Sequence, residues 1–326
     1  MIRIVSAIDP KRDDGRFKDP HVCDFVFRMH EFVNDLYDRI RVYQNRDASD
    51  ILAATLGHEN NNSTQRWVDG KLDIPLVALE TLIKMAARSN EIPEKYLSSN
   101  LQWVYLRSPN TREFTRIPLT LSDDLIYFVA VIIGDGCLTD TVRGMHIKTR
   151  DYRIYLEVAD KQLVENVRIL FHRLFNLNVQ IKQTKDGYWQ FTKRNKPLVR
   201  FLNRIFELPI GVKAPHASIP TIVRSLQINR QVPFLTGILD TDLGLHSKSI
   251  GSNFASERFR DDLAELLRKL GISVTTSPVY FKNGIYAQHE IRITKHSLPK
   301  LWHAIETYPL KNLNRRMAVE RLIGRG

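Results

Sequence analysis

Two aspartates close two similar apolar segments, and together they are the strongest indication of chemistry in this sequence. Asp135 lies in FVAVIIGDG (128–136), and Asp242 lies in LTGILDTDL (235–243). If both segments are helices that pair, their C-terminal ends bring the carboxylates together, where each repels the other and the helix dipoles. Two carboxylates that leave further ligand positions to water and phosphate suit Mg²⁺. We therefore predict a Mg²⁺ site for phosphodiester hydrolysis. The alternative is that each aspartate only ends a helix before a glycine.

Small residues recur four apart in both segments, which indicates how the two helices would meet. A spacing of four puts both residues on one face of a helix. Small side chains on that face allow two helices to pack backbone against backbone. The predicted interface residues are Ala130 and Gly134 in the first segment, and Gly237 and Thr241 in the second.

The two segments belong to a longer internal repeat. Residues 158–179 align with 254–274, and residues 189–202 align with 291–304. Each copy reads as an apolar helix, strands, a helix, strands and a final helix, and each contains a Thr-Lys pair that ends in Lys193 or Lys295. Three matches in the same order predict an α+β protein with two pseudo-twofold αββαββα subdomains.

The charge of the chain is basic and unevenly distributed. Lys and Arg number 48 against 36 Asp and Glu, which gives a net charge of +12 and a pI near 9.7. Residues 1–100 hold 14 basic and 16 acidic side chains, so the whole excess lies in residues 101–326. A basic surplus favours a polyanionic partner such as nucleic acid. The alternative is a basic surface that binds no such partner.

The composition also bears on the location of the protein. No apolar run approaches the ~18 residues that span a bilayer, and two cysteines are too few for a disulfide framework. We therefore expect no membrane partner and a reducing, cytoplasmic location.

Alternating polar residues in the predicted strands offer a surface for nucleic acid. Alternation puts one face of a strand on the core and the other face outward. Outward Arg, Lys, Gln and Thr side chains can read base edges or hold phosphates, although an ordinary solvated sheet face has the same pattern. The predicted DNA-binding residues of the sheets are His146, Lys148, Arg150, Gln180, Lys182, Gln190, Lys248 and Arg292.

The repeated motifs resemble those of the LAGLIDADG family of homing endonucleases, in its single-chain form. The resemblance covers about residues 115–320. It implies paired helices at the subdomain interface and saddle-shaped antiparallel sheets that sit on double-stranded DNA. It also implies that Asp135 and Asp242 bind the metal, and that Lys193 and Lys295 stabilise the phosphate or polarise a water. The expected activity is Mg²⁺-dependent cleavage of both strands at a long asymmetric site, for which a monomer would suffice.

This sequence departs from the family pattern in both motifs. Leu243 replaces the closing glycine of the second motif, with Gly244 one residue later, and Ala130 replaces a common glycine in the first. The second helix is therefore expected to run one residue further or to end with a different cap. Leu243, together with a helix-turn-helix-like module in the N-terminal part, favours an alternative function, a non-cleaving DNA-binding regulator or an intron-RNA splicing factor. The intact aspartates favour the endonuclease, because a pure binder gains nothing from two repelling carboxylates.

Residues 50–86 resemble a helix-turn-helix of the phage-repressor type. The resemblance rests on LAATLGH, then STQRW, then GK, followed by a proline and an apolar helix. It implies that Ser63, Gln65 and Arg66 face DNA and that Trp67 lies in the core. The alternative is a helical module that only packs against protein, which the acidic balance of residues 1–100 favours.

The predicted organisation has four parts. They are an all-α helix-turn-helix-like domain (1–99), a linker (100–118), and two LAGLIDADG-like subdomains (119–215 and 216–326).

Overall fold

The structure is a computed structural model. It describes residues 25–27, 50, 65–67, 69, 71, 74–75, 78, 82, 103–107, 113–118, 120–143, 149–246, 249–277 and 288–324. The chain divides into two compact units, residues 1–120 with 175–177, and residues 121–174 with 178–326. In the ranges given above, no helix combines the length and the apolar character that a membrane crossing requires.

The first unit contains an antiparallel four-stranded sheet. Its strands are β1 (Phe25–Phe27), β2 (Ile74–Pro75), β3 (Trp103–Arg107) and β4 (Thr115–Pro118), in the order β2-β1-β3-β4. The prediction of an all-α N-terminal domain is therefore wrong, and the expected linker contains two paired strands. Trp103, Val104 and Tyr105 are residues that favour a strand. Pro118 fits because it ends an edge strand, where the ladder needs no further N–H donor.

The second unit contains two halves with the same order of elements. The elements of the first half are α1 (Asp123–Gly134), β5 (Gly136–Arg143), β6 (Thr149–Val158), α2 (Lys161–Phe175), β7 (Lys182–Gln183), β8 (Trp189–Arg194) and α3 (Lys196–Ile205). A connection follows that includes the short helix α4 (Thr221–Arg224) and 3₁₀ turns at Ala214–His216 and Ile228–Gln231. The elements of the second half are α5 (Val232–Asp240), β9 (Gly244–His246), β10 (Ser249–Phe254), α6 (Glu257–Lys269), β11 (Val274–Ser277), β12 (His289–Ile293) and α7 (Leu298–Ile305). A last helix, α8 (Leu313–Leu322), follows the second half.

Both sheets of the second unit are antiparallel and have the same strand order. The first sheet is ordered β5-β6-β8-β7, and the second is ordered β9-β10-β12-β11. Each half therefore follows the αββαββα pattern, and the α+β architecture predicted from the repeat is confirmed.

The helix α1 begins at a cap and continues as an almost wholly apolar segment. The Ser122 hydroxyl accepts a hydrogen bond from the backbone N–H of Leu125 (3.2 Å). Asp123 and Asp124 occupy the first turn, where acidic side chains interact favourably with the positive end of the helix dipole. Every residue from 125 to 134 is buried, so the helix has no solvent-facing stripe. A helix that is apolar on all sides needs protein on all sides, and this one lies at the centre of the unit.

Aromatic and aliphatic side chains join the helices to one face of each sheet. In the first half, Phe171 of α2 lies between Phe128 of α1 and Phe191 of β8, with ring centroids 5.8 and 5.5 Å apart. In the second half, Phe259 of α6 packs edge-on against Phe254 of β10 at 4.9 Å. Because the helices cover the faces that carry these residues, the opposite face of each sheet points outward.

Candidate active site

The helices α1 and α5 pair closely through small residues. A methyl group added at Gly134 would lie 2.1 Å from Oγ1 of Thr241, and one added at Gly237 would lie 2.6 Å from Cβ of Ala130. Both distances are well below an ordinary carbon contact. Only glycine fits at these two points, and the structure brings together the four residues that the sequence placed at the interface.

The two aspartates come directly after this helix contact. Asp135 follows Gly134, and Asp242 follows Thr241. Burial, and to a lesser extent the negative charge of Asp242, raise the pKa of Asp135 to about 6. Burial also raises the pKa of Asp242 above its usual range. Desolvation and a like charge both oppose ionisation, so a cation bound here would favour the ionised pair.

A lysine that the sequence reasoning missed caps the C-terminus of α1. Nζ of Lys213 donates hydrogen bonds to the carbonyl oxygens of Ile132 (3.3 Å), Ile133 (2.7 Å) and Gly134. Its positive charge lowers the pKa of Asp135 and of Asp242, against the effect of burial. Lys213 is itself buried, and its pKa is lowered for that reason.

An arginine performs the same task at the C-terminus of α5. Nη1 of Arg315 donates to the carbonyl oxygens of Leu239 (2.8 Å) and Leu243, and Nη2 donates to that of Thr241 (2.6 Å). The charge of Arg315 also lowers the pKa of both aspartates. The sequence separates Arg315 from Lys213 by the same number of residues that separates Lys295 from Lys193. This equal spacing indicates that Lys213 and Arg315 occupy corresponding positions, although both lie beyond the aligned parts of the repeat.

A third aspartate, Asp240, is buried and fixes the segment that precedes Arg315. Asp240 accepts hydrogen bonds from the Tyr127 hydroxyl (2.7 Å) and from the backbone N–H groups of Lys311 (2.8 Å) and Asn312 (3.2 Å). These contacts tie α5 to the start of α8, the helix that carries Arg315. Burial raises the pKa of Asp240, while its hydrogen bonds act in the opposite direction.

Leu243 occupies the core without extending its helix. The helix α5 ends at Asp240 with Thr241 as its C-cap, whereas α1 runs to Gly134 with Asp135 as its C-cap. Of the two expected outcomes, the structure therefore has the different cap and not the longer helix. The Leu243 side chain is fully buried. In the first motif a methyl group added at Gly136 would lie 2.8 Å from Cα of Ile132, so only the first motif requires glycine after its aspartate.

The predicted lysines lie elsewhere. Lys193 pairs in register with Ile154, a buried residue on the core side of β6, and its Nζ donates to the Asn178 carbonyl (3.1 Å). Lys295 is exposed and begins the 3₁₀ turn Lys295–Ser297. The cations that act most strongly on both aspartates are instead Lys213 and Arg315.

Several predicted DNA-binding residues lie on the outward faces of the sheets. Lys182 and Gln190 pair in register, on the face opposite to the buried Phe191, and Arg292 is exposed on β12. Gln180 is exposed just before β7. The other predicted residues of the sheets fall wholly or partly outside the described part of the chain: His146, Lys148 and Lys248 lie outside it, and Arg150 is described only by its backbone pairing with Val142.

Most of the predicted helix-turn-helix also lies outside the described residues, Ser63 included. Gln65 and Arg66 are exposed and Trp67 is buried in a short helical stretch. The strand β2 falls within the same range, where the resemblance implied no strand.

The donor set fits a hard divalent cation that keeps water ligands. In the described ranges, no three His, Cys, Asp or Glu side chains converge as a metal-binding group. Asp135 and Asp242 are half-buried carboxylates with raised pKa values, and Mg²⁺ is commonly held by one or two carboxylates with water and phosphate. Asp135 and Asp242 are the residues that would hold it.

One cavity of the described residues lies at the other end of the paired helices. A cavity of about 690 Å³ is lined by residues that include Asp123, Val232 and Tyr308. Asp123 and Val232 begin the two paired helices, whereas Asp135 and Asp242 follow their other ends.

Comparisons with known proteins give low similarity. No family model matches the sequence, and no curated protein matches it. A solved structure of the homing endonuclease I-DmoI in complex with DNA and Mn is 18% identical, with a TM-score of 0.46 over 58% of this chain and 98% of that chain. I-WcaI bound to its DNA recognition sequence is 13% identical, with a TM-score of 0.39 over 61% and 87% of the two chains. The LAGLIDADG meganuclease I-AabMI bound to uncleaved DNA is 11% identical, with a TM-score of 0.40 over 63% and 90%. Likenesses of this strength assign no function.

Proposed function

We propose that this protein is a metal-dependent, sequence-specific DNA endonuclease of the LAGLIDADG homing type. The observation that carries the proposal is the meeting of Asp135 and Asp242 at the ends of two tightly paired helices, beside two inward-pointing cations. A carboxylate pair in a desolvated place is costly for a fold that makes no use of it. A divalent cation that bound both carboxylates would offset this cost in free energy.

Each residue of the site has a definite role in this mechanism. Asp135 and Asp242 would hold the cation, and a bound cation would supply charge neutralisation at the scissile phosphate and lower the pKa of a water. Lys213 and Arg315 supply fixed positive charge beside the reacting phosphate, where a preorganised cation stabilises developing negative charge. Asp240 positions Arg315 through the start of α8. Lys193 and Lys295 have no part in this assignment.

The outward sheet faces are the proposed DNA-binding surface. The basic excess of the chain lies in residues 101–326, which hold both sheets. Basic side chains on such a surface neutralise phosphates and release counterions, so binding should weaken steeply with salt. The two sheets differ in their outward residues, so the recognised site should be asymmetric. Double-stranded DNA is the proposed partner, and one chain supplies both halves of the site.

The non-cleaving alternative rests on Leu243 and on the helix-turn-helix-like module, most of which lies outside the described residues. Leu243 is buried in the core and its carbonyl is bound by Arg315, which supports the endonuclease. Asp242 keeps the same two cations near it as Asp135. A regulator or an intron-RNA splicing factor is therefore left as an outcome of the test.

The test is a cleavage selection on a large DNA library, run in Mg²⁺ and in Ca²⁺. The double variant Asp135→Asn/Asp242→Asn is the control for contaminating nucleases. We expect the natural chain to cut a discrete site in Mg²⁺. The variant should cut that site in neither metal. Binding without cutting in both metals would refute the nuclease and favour the regulator.

A further inference from the structure

Two arginines lie directly opposite each other on the outward face of the first sheet. Arg153 of β6 pairs in register with Arg194 of β8. Ile154, next to Arg153 in β6, and Phe191, at a position of opposite parity to Arg194 in β8, are buried and mark the core face. Two like charges opposite each other destabilise a sheet. Their presence on an exposed face therefore needs a partner or a purpose.

A carboxylate on the same face bridges the two arginines. Nε of Arg153 donates to Oδ2 of Asp151 (2.9 Å), and Nη2 of Arg153 donates to the same oxygen. Nε of Arg194 lies 3.3 Å from Oδ1 of Asp151. The Asp151 side chain is only 10% exposed, so this bridge is partly shielded from water. The surface thus holds a fixed Arg–Asp–Arg cluster, defined here as Asp151, Arg153 and Arg194.

The two arginines are held to different degrees. Arg153 makes two hydrogen bonds through one edge of its guanidinium and is 25% exposed, whereas Arg194 makes the single longer contact and is 67% exposed. The guanidinium is planar with five N–H donors in a rigid fork. With the Nε–Nη2 edge of Arg153 turned to Asp151, the Nη1–Nη2 edge keeps two parallel donors at its far end. That is the geometry that matches N7 and O6 of guanine in the major groove.

We propose that Arg153, held by Asp151, reads a guanine in the half-site bound by the first sheet, and that Arg194 contacts the phosphate backbone. This inference rests on the proposed DNA-binding function and adds specificity residues to it. Asp151 acts as a positioning residue, because it fixes the fork before DNA arrives and so reduces the entropy lost on binding. Its negative charge also repels phosphate, which discourages Arg153 from a contact that carries no sequence information.

The second sheet offers a matched control. Arg292 and Glu290 lie on the outward face of β12, where Nη2 of Arg292 donates to one Glu290 oxygen at 2.6 Å. Arg292 is 51% exposed and faces Thr275 across the sheet, not a second arginine. A change at Arg292 alters one outward arginine in the other half and leaves the Arg–Asp–Arg cluster intact.

The experiment is a binding-site selection on the Asp135→Asn/Asp242→Asn background, which the proposed function expects to bind without cutting. It compares this parent with Arg153→Ala, Arg153→Lys, Asp151→Asn, Arg194→Ala and Arg292→Ala. We expect Arg153→Ala to lower the preference for guanine at one base pair by roughly 5- to 150-fold, the range for one bidentate contact. Arg153→Lys should lose the same preference while it keeps its charge. Asp151→Asn should weaken the preference at that same base pair.

Arg194→Ala and Arg292→Ala separate specificity from charge. Arg194→Ala should weaken binding evenly across sequences and lower the salt dependence by about one phosphate contact. Arg292→Ala should leave the guanine preference unchanged. Thermal unfolding of each variant tests for a folding defect. None is expected, because all of the substituted side chains reach the surface.

Two results overturn the inference while the proposed function stands. One is an unchanged base preference in Arg153→Ala and Arg153→Lys. The other is an effect of Asp151→Asn at a different base pair from that of Arg153→Ala. If the parent selects no DNA sequence at all, the proposed function itself fails, which is a distinguishable outcome.

Discussion

In the first half of the second unit, α1 ends at Gly134 and Asp135 is its C-cap. In the second half, α5 ends at Asp240 and Asp242 follows the C-cap. A lysine caps the first helix and an arginine caps the second. The halves thus share a carboxylate and a half-buried cation at corresponding places, but not the way in which the helix ends. Such a difference is tolerated because the two ends need only deliver charges to one place.

The largest expected effect tests whether the two carboxylates act together. Asp135→Asn and Asp242→Asn, made separately, should each lower cleavage by about 10³-fold, since metal-bound charge supplies several kcal/mol of transition-state stabilisation. DNA affinity should stay nearly constant. Single-turnover cleavage of a supercoiled plasmid with one site measures nicking and linearisation together. If one variant nicks a single strand at the natural rate, each aspartate serves its own strand and the halves are independent. A parallel loss of binding and cleavage would show a structural role.

The next effect concerns the two residues that follow the aspartates. Leu243→Ala should reduce the free energy of unfolding by about 2–5 kcal/mol, because it empties a fully buried site. Gly136→Ala should cost about 1–3 kcal/mol through its clash with the Ile132 backbone. Urea unfolding measures both changes. Val212→Ala, at a side chain that is 77% exposed, is the control and should change little. A stable Leu243→Ala chain would mean that the second motif tolerates a small residue like the first.

The same comparison shows what could be read from the sequence. Helix pairing follows from small residues spaced by four, and the paired aspartates follow from the repeat. The order of helices and strands along each half follows from the same repeat. These features depend on local pattern and on symmetry, both of which a single sequence displays.

Other features depend on contacts that local pattern does not display. Lys213 and Arg315 come from segments beyond the aligned parts of the repeat, and only the fold brings them back to the helix ends. The sheet of the first unit pairs strands that are distant in the chain, such as β1 with β3. The face of β8 on which Lys193 lies, in contrast, could be read from the alternation of the strand. Lys193 lies two residues from the buried Phe191, so it shares the core face, while its neighbour Arg194 points outward.

An exchange of the two capping cations tests whether charge alone matters. Arg315→Lys should lower cleavage by about tenfold, because the carbonyls of Leu239, Thr241 and Leu243 are not consecutive and are reached by two nitrogens of a planar guanidinium, whereas Lys213 reaches three consecutive carbonyls with one ammonium. Lys213→Arg should have a smaller effect if the end of α1 can admit the larger group. Single-turnover rates at saturating DNA measure both, with DNA affinity as the control. Equal rates in both variants would reduce the difference between the halves to a choice of side chain without consequence.

The smallest expected effect is a pH dependence that belongs to the first half. The pKa of Asp135 is raised to about 6, so this group gains a proton as the pH falls through that value. Cation affinity and cleavage should therefore fall below about pH 6, by at most tenfold per pH unit for one proton.

For the metal-free chain, the stability of the fold should depend on pH in the opposite direction. A carboxyl with a raised pKa favours folding at low pH, and this contribution is lost as the pH rises through about 6. Metal-free Asp135→Asn should lack that loss between about pH 4 and 6, while Asp186→Asn, which removes an exposed carboxylate, should retain it. Thermal unfolding in a chelator across this pH range measures the difference. Parallel plots of melting temperature against pH for the natural chain and Asp135→Asn would show that the titrating group is Asp242 instead.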